Sequence, residues 1–211
     1  QLSKNAVKYM QEIGRQYPDC GYGGHFFYWI FSDDPQPYGS YGNGSAMRIS
    51  PVGFVADSIE QAKALSQAVT EVSHDHPEGL KGAEAVAVAI FLARNGASMD
   101  EIKDYIDKNY YPLDFILDQI REGYSFDVTC QGSVPQAFQA FFESQDFEDA
   151  IRNAISIGGD SDTIAAICGG LAEAYYGIPT PIRNQAMAYL DDRLVEIVES
   201  FESTYPFQPT K

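Results

Sequence analysis

Between Pro77 and Gly96 the chain reads PEGLKGAEAVAVAIFLARNG, and from Ala83 onward this segment is apolar nearly all round. The alternation of Ala and Val from 85 to 89 also fits a strand, but length and alanine content favour a helix. A helix without a polar face has to be wrapped by other elements. The segment therefore predicts a domain built around one central helix. Its longest apolar run, Ala85 to Ala93, is far too short to span a bilayer.

The rest of the chain supplies the wrapping. Ser58-Ile59-Glu60-Gln61 and Ser98-Met99-Asp100-Glu101 have the form of capping boxes. After Ser58, apolar residues fall at Ile59, Ala62, Leu65, Val69 and Val72, one face of a helix. Further helices are expected at 2–16, 99–108, 113–122, 134–144, 147–156, 162–176, 180–190 and 190–202. Gly96 and Gly177 stand where helix C-caps belong. Glycines gather in two loops, 21–24 and 39–44, and strand signals are scarce. The expectation is an all-α, compact, multi-helix domain over residues 1–205, with 206–211 as a tail.

Composition narrows the function classes. With 30 acidic against 14 basic residues the formal charge is -16, and Lys and Arg form no cluster, so no nucleic-acid binding is expected. An acidic surface also repels an anionic membrane. The three cysteines, Cys20, Cys130 and Cys168, include no CxxC pair, which argues against a thiolate zinc site. Reduced thiols and the absence of a secretory signal in QLSKNAVKYM give a cytoplasmic expectation.

Three segments carry chemistry. In Gly158-Gly159-Asp160-Ser161-Asp162-Thr163, two glycines allow an abrupt turn, and three oxygen-bearing side chains then open an apolar helix. Asp162 or Ser161 could simply cap that helix. One residue suffices for capping, however, and oxygen ligands without His or Cys suit Mg²⁺, Mn²⁺ or Ca²⁺. The segment Gly39-Ser40-Tyr41-Gly42-Asn43-Gly44-Ser45 combines small residues with a helix start near Ser45, which offers N–H donors to a phosphate. Tyr41 could stack on a base or ribose, and an ordinary Asn-Gly turn is the plain alternative. In His74-Asp75-His76-Pro77, the histidines suit hydrogen bonding to a polar ligand, or capping and surface roles, better than zinc.

In this order, SYGNGSAMR (40–48), HDHPEGLKGA (74–83) and GGDSDT (158–163) resemble the ADP-ribosylglycohydrolase family, of the dinitrogenase reductase-activating glycohydrolase type, over about residues 1–205. The resemblance implies an all-α fold and a hydrolase that removes ADP-ribose from a modified protein or small conjugate, with two Mg²⁺ ions in a cleft. By position it implies Asp160, Asp162 and Thr163 as metal ligands, with Asp162 bridging. It implies Ser40, Tyr41, Gly42, Asn43, Gly44 and His74 as substrate contacts, with Arg48 either functional or structural. Family members also carry an earlier Gly-Asp element and a Thr-Asp-Asp-Thr motif, which supply the remaining ligands and the catalytic carboxylate. Neither occurs here, and Ser32-Asp33-Asp34-Pro35 is no substitute, because Pro35 would break the helix that motif occupies. The expectation is a chain lacking the N-terminal helices and impaired in turnover, or a non-catalytic ADP-ribose-binding module.

Overall fold

The computed structural model describes residues 1–207, so the 206–211 tail lies mostly outside the described residues. Among them are thirteen helices: α1 Leu2–Gly14, α2 Gly24–Phe31, α3 Gly44–Met47, α4 Ser50–Val55, α5 Ile59–Thr70, α6 Pro77–Arg94, α7 Met99–Asn109, α8 Leu117–Ile120, α9 Cys130–Phe142, α10 Phe147–Ser156, α11 Ser161–Tyr176, α12 Thr180–Met187 and α13 Asp192–Thr204. The sole β-type pairing among the described residues is an isolated antiparallel bridge between Gly42 and Thr129.

The central segment is a helix, α6, with ten buried residues from Gly79 to Ala93. It packs against α3, α4, α5, α7, α9 and α11. Residues such as Val86, Ile90, Phe138, Phe141, Ile164 and Leu171 form one continuous core around it. Burying each of these large side chains contributes about 1.5–3 kcal/mol, which is what holds a helix with no polar face in place. Trp29, Ile30 and Val72 make a smaller core beneath α1 and α2. No helix among the described residues is long and apolar enough to cross a membrane.

Local signals explain most boundaries. Ser98 and Glu101 form the full capping box of α7. Ser58 accepts from Gln61 N, but the Gln61 side chain takes the amide of Asp57 rather than that of Ser58. Gly96 and Gly177 end α6 and α11 with positive φ of 84° and 75°.

Four boundaries differ from the sequence expectation. The helix expected at 113–122 shrinks to Leu117–Ile120. The Leu113 and Leu117 amides are taken by the Asp107 and Glu143 carboxylates, at 2.7 and 2.9 Å, so this stretch satisfies its donors without a helix. α9 starts four residues earlier than 134, because Thr129 caps it through Gly132 N at 3.0 Å and Pro135 is carried inside it. α2 begins at Gly24, inside the expected 21–24 loop, and is held by Trp29 and Ile30. The helix start near Ser45 becomes two short helices, α3 and α4.

Candidate functional site

The helix starts of α3, α9 and α11 converge on one another. Asn43 precedes α3, Thr129 precedes α9 and Asp160 precedes α11. Gly42 pairs with Thr129, and the Asn43 carboxamide reaches Asp160. Helix N-termini carry the positive end of the dipole, which favours negatively charged groups, although the first amides of α9 are already taken by Tyr41 O and Thr129 Oγ1. The convergence brings the glycine loop and the carboxylate turn, two of the three sequence-predicted segments, into direct contact.

The carboxylate turn is built by backbone conformation. Gly158 and Gly159 both lie in the left-handed region, with φ of 73° and 67°. A side chain on Gly159 would collide with the Tyr124 ring, so the turn is closed from one side by Tyr124. Asp160 makes no side-chain cap bond to its own helix. Asp160 Oδ2 instead accepts from Asn43 Nδ2 at 2.7 Å. Asp162 lies in the first turn of α11, where the helix dipole favours its charge.

Electrostatics at Asp160 run in opposing directions. Burial raises its pKa, the Asn43 bond lowers it, the neighbouring Asp162 carboxylate raises it and Thr163 lowers it, with a net upward shift. Asp162 is exposed and Thr163 is buried, its hydroxyl 3.7 Å from Met47 Sδ. That sulfur is a weak acceptor. The turn thus brings together two carboxylates and a hydroxyl, and the hydroxyl is a hydrogen-bond neighbour of Asp160.

The glycine loop is fastened at several points. Gly39 N donates to Asp75 Oδ1 at 2.7 Å, Asn43 N to Val128 O at 2.8 Å, and Cys130 N to Tyr41 O at 2.9 Å. Gly42 N donates to Ser40 Oγ at 3.2 Å. Gly79 lets α6 approach closely: a Cβ there would lie 2.5 Å from Ser40 O. Tyr41 keeps its ring half-exposed, 5.1 Å from His76. Cys130 Sγ lies under the loop, 3.3 Å from Gly42 O, and burial pushes its thiol up to about 11, so it packs rather than reacts.

The histidine segment works from beneath. His74 is 4% exposed, and its Nε2 edge lies against Gly42 and Gly44. Nδ1 is 2.9 Å from Ser73 Oγ and 3.3 Å from Arg48 Nη2. Arg48 has only donors, so Nδ1 accepts and the ring proton is assigned to Nε2. Burial first, then Arg48, pulls the His74 pKa down to about 3, which keeps the ring neutral. Arg48 also donates to Ser73 Oγ at 2.7 Å and lies over the Phe26 ring, contacts that describe a structural role. His76 caps α6 by accepting from Glu78 N at 3.1 Å, so the two histidines do not share a ligand.

Sequence reasoning missed Ser133, Asp127, Tyr124 and Met47. Ser133 is fully buried, accepts from Asn43 Nδ2 at 2.8 Å and donates to Asp127 O at 2.9 Å. A serine among the apolar residues of CQGSVPQAFQAFF was the available signal. The other three lie before α9 or on the exposed edge of α3 and had no such signature.

A family model described as ADP-ribosylglycohydrolase matches residues 10–206. An uncharacterized protein of Archaeoglobus fulgidus is 31% identical over 147 residues, 62% of this chain and 48% of that protein. The ADP-ribosylarginine hydrolase Tri1 of Pseudomonas putida is 30% identical over 162 residues, 71% of this chain and 42% of its own length. Human ADP-ribosylhydrolase ARH3 is 24% identical over 190 residues, 66% of this chain and 51% of its own length. The chain spans about half the length of these relatives. A solved structure titled ADP-ribosylglycohydrolase-related protein complex superposes with a TM-score of 0.68 at 23% identity, covering 95% of this chain and 72% of that one, and so shares the fold.

Proposed function

This chain belongs to the ADP-ribosylglycohydrolase family, and on that premise we propose that it contributes the nucleotide-sugar cleft of a Mg²⁺-dependent hydrolase that removes ADP-ribose from modified protein or a small ADP-ribosyl conjugate. The observation that carries the reading is the bond from Asn43 to Asp160, which fastens the glycine loop to the carboxylate turn. A phosphate-compatible loop and a cation-compatible turn are useful together only if one ligand spans both.

In this reading Asp160, Asp162 and Thr163 hold the metal. When bound, Mg²⁺ supplies Lewis-acid polarisation and fixes oxygen groups of the substrate. The loop from Ser40 to Gly44 receives the diphosphate through the amides of Ser40, Tyr41 and Gly44, since those of Gly42 and Asn43 are bonded within the protein, and the half-exposed Tyr41 ring offers a stacking face. His74 stays neutral under the loop and fixes its shape against Gly42 and Gly44. Cleavage at the ribose anomeric carbon builds positive charge on the sugar. A carboxylate serving as acid or base is also required, and we assign no residue to it.

A second reading is a module that binds ADP-ribose without cleaving it. It is favoured by the donor count at the turn, two carboxylates and one hydroxyl, which falls short of octahedral oxygen coordination for a pair of ions.

Calorimetry with ADP-ribose, with and without MgCl₂, tests both readings. Binding that tightens with Mg²⁺ is expected, and the absence of heat in either condition would overturn them. Release of ADP-ribose from ADP-ribosyl-arginine or ADP-ribosyl-serine peptides separates them: release supports the hydrolase, and binding without release supports the module. Asp162→Ala is expected to remove most of the Mg²⁺ effect, and an unchanged effect would remove Asp162 from the ligand set.

A further inference from the structure

We propose that Asn43 and Ser133 act as positioning residues that clamp the Asp160 carboxylate, so that the glycine loop and the metal-binding turn move and bind as one unit. The proposal rests on the metal reading of Asp160 given above, but the clamp itself stands on contacts independent of any ligand.

A carboxamide nitrogen carries two hydrogens. Asn43 directs Nδ2 at Asp160 Oδ2, 2.7 Å away, and at Ser133 Oγ, 2.8 Å away, with Asp127 O at a longer 3.4 Å. Both hydrogens are therefore committed inside the protein, and the nitrogen has none left for a phosphate. Ser133 holds the other end. Its hydroxyl hydrogen goes to Asp127 O at 2.9 Å, which leaves its lone pairs facing Asn43. Asn43 is the double donor of the network: one hydrogen goes to the Asp160 carboxylate, and the other goes to the Ser133 hydroxyl, which donates in turn to Asp127 C=O. Asn43 and Ser133 are both buried, at 6% and 0% exposure, so the bond between them is shielded from water, while Asp160 at the outer end is half-buried.

The turn needs such support. Two successive left-handed glycines precede Asp160, and its side chain makes no cap bond to the backbone of its helix, where the Thr163 hydroxyl is its hydrogen-bond neighbour. The bond from Asn43 is what reaches Asp160 from across the site. A carboxylate whose rotamer is set by the loop couples the two ligand sites: whatever orders the loop orders the turn, and the coupling is reciprocal. Partners that orient a metal ligand typically carry about 10–100-fold of metal affinity.

Two measurements test the clamp. The first is amide hydrogen exchange in the metal-free chain for wild type, Asn43→Ala and Ser133→Ala. Faster exchange confined to 158–163 and the 39–44 loop, with α6 and α10 unchanged, is expected. Unchanged exchange at 158–163 would overturn the clamp, as would a general acceleration reflecting lost stability. The second is calorimetric. Ser133→Ala is expected to weaken Mg²⁺ binding about 10–100-fold and to remove the tightening of ADP-ribose binding by Mg²⁺, and Ser133→Thr, which keeps the hydroxyl, is expected to restore both. Tightening by Mg²⁺ that survives in Ser133→Ala would overturn the coupling. If wild type takes up neither Mg²⁺ nor ADP-ribose, the proposed function falls, and the exchange measurement still decides the clamp.

Discussion

The two ends of α11 each hold a carboxyl group that burial pushes toward the protonated form, and they treat it in opposite ways. At the N-terminal end, the donor from Asn43 works against the burial of Asp160. At the C-terminal end, Glu173 faces a cavity of about 410 Å³ together with Tyr176, Arg183, Glu202 and Phe207. There burial is reinforced by the like charge of Glu202, only partly offset by Arg183, and the Glu173 pKa rises to about 7. The packing differs in the same sense. The N-terminal end is knit by buried polar groups, whereas α12 and α13, which close the other end, contain no buried residue. One helix thus joins a preorganised site to a loosely covered end. Burial alone does not make a carboxylate available to a ligand; a committed donor beside it does.

Acid should expose the site end first. His74 titrates near 3 in the folded chain against about 6.5 when unfolded, so the unfolded state binds more protons between those values. Its contribution is fully present above pH 6.5 and is lost as pH falls toward 3. Between pH 7 and pH 5 this amounts to about 2 kcal/mol. Urea unfolding of wild type and His74→Asn at both values measures it, as the difference between their changes in stability on acidification. Equal pH dependence in the two would show that His74 is not the buried neutral group described here.

The opposite end should respond to base. Glu173 has its pKa raised in the folded state, so folding binds the proton and stability falls as pH rises from about 4.5 through about 7. The cavity admits water, and the expected loss is reduced accordingly to about 1–2 kcal/mol. Glu173→Gln keeps the shape and removes the titration. It should match wild type at pH 5 and exceed it at pH 8. The two slopes oppose each other, so wild type should be flatter between pH 5 and 7 than either variant. A Glu173→Gln chain no more stable than wild type at pH 8 would break the contrast between the two ends.

Much of this contrast was invisible in the sequence, for identifiable reasons. The central helix was legible because no solvent face could be drawn on AEAVAVAIFLAR, and α6 indeed has ten buried residues. The GGDSDT turn was legible because acids at the mouth of an apolar helix demand a partner. α2 was not, because the aromatic run GHFFYWIF follows glycines and its support, Val72, lies more than forty residues away. α8 was overestimated because the acceptors that replace its helical bonds, Asp107 and Glu143, come from other elements. The Asn43–Asp160 bond spans 117 residues, and nothing local announces it. Glu173 reads as an ordinary helix residue in LAEAYYG until α12 and α13 fold over it.

The smallest effect is the most discriminating for the loosely covered end. Arg183 pairs with Glu202 through Nη2 at 2.5 Å and Nε at 3.2 Å, with side chains 35% and 45% exposed. An exposed pair of this kind contributes under about 1 kcal/mol, even with two contacts. Arg183 also draws the Glu173 pKa down, against burial and Glu202. Removing it therefore costs more where Glu173 is ionised than where it is protonated. Arg183→Ala should destabilise wild type more at pH 8 than at pH 5, by a few tenths of a kcal/mol. In the Glu173→Gln background the same substitution should cost the same at both values, because the group that made it pH-dependent is gone. A pH-dependent cost that survives in the double variant would mean that Glu173 is not the group whose charge Arg183 senses.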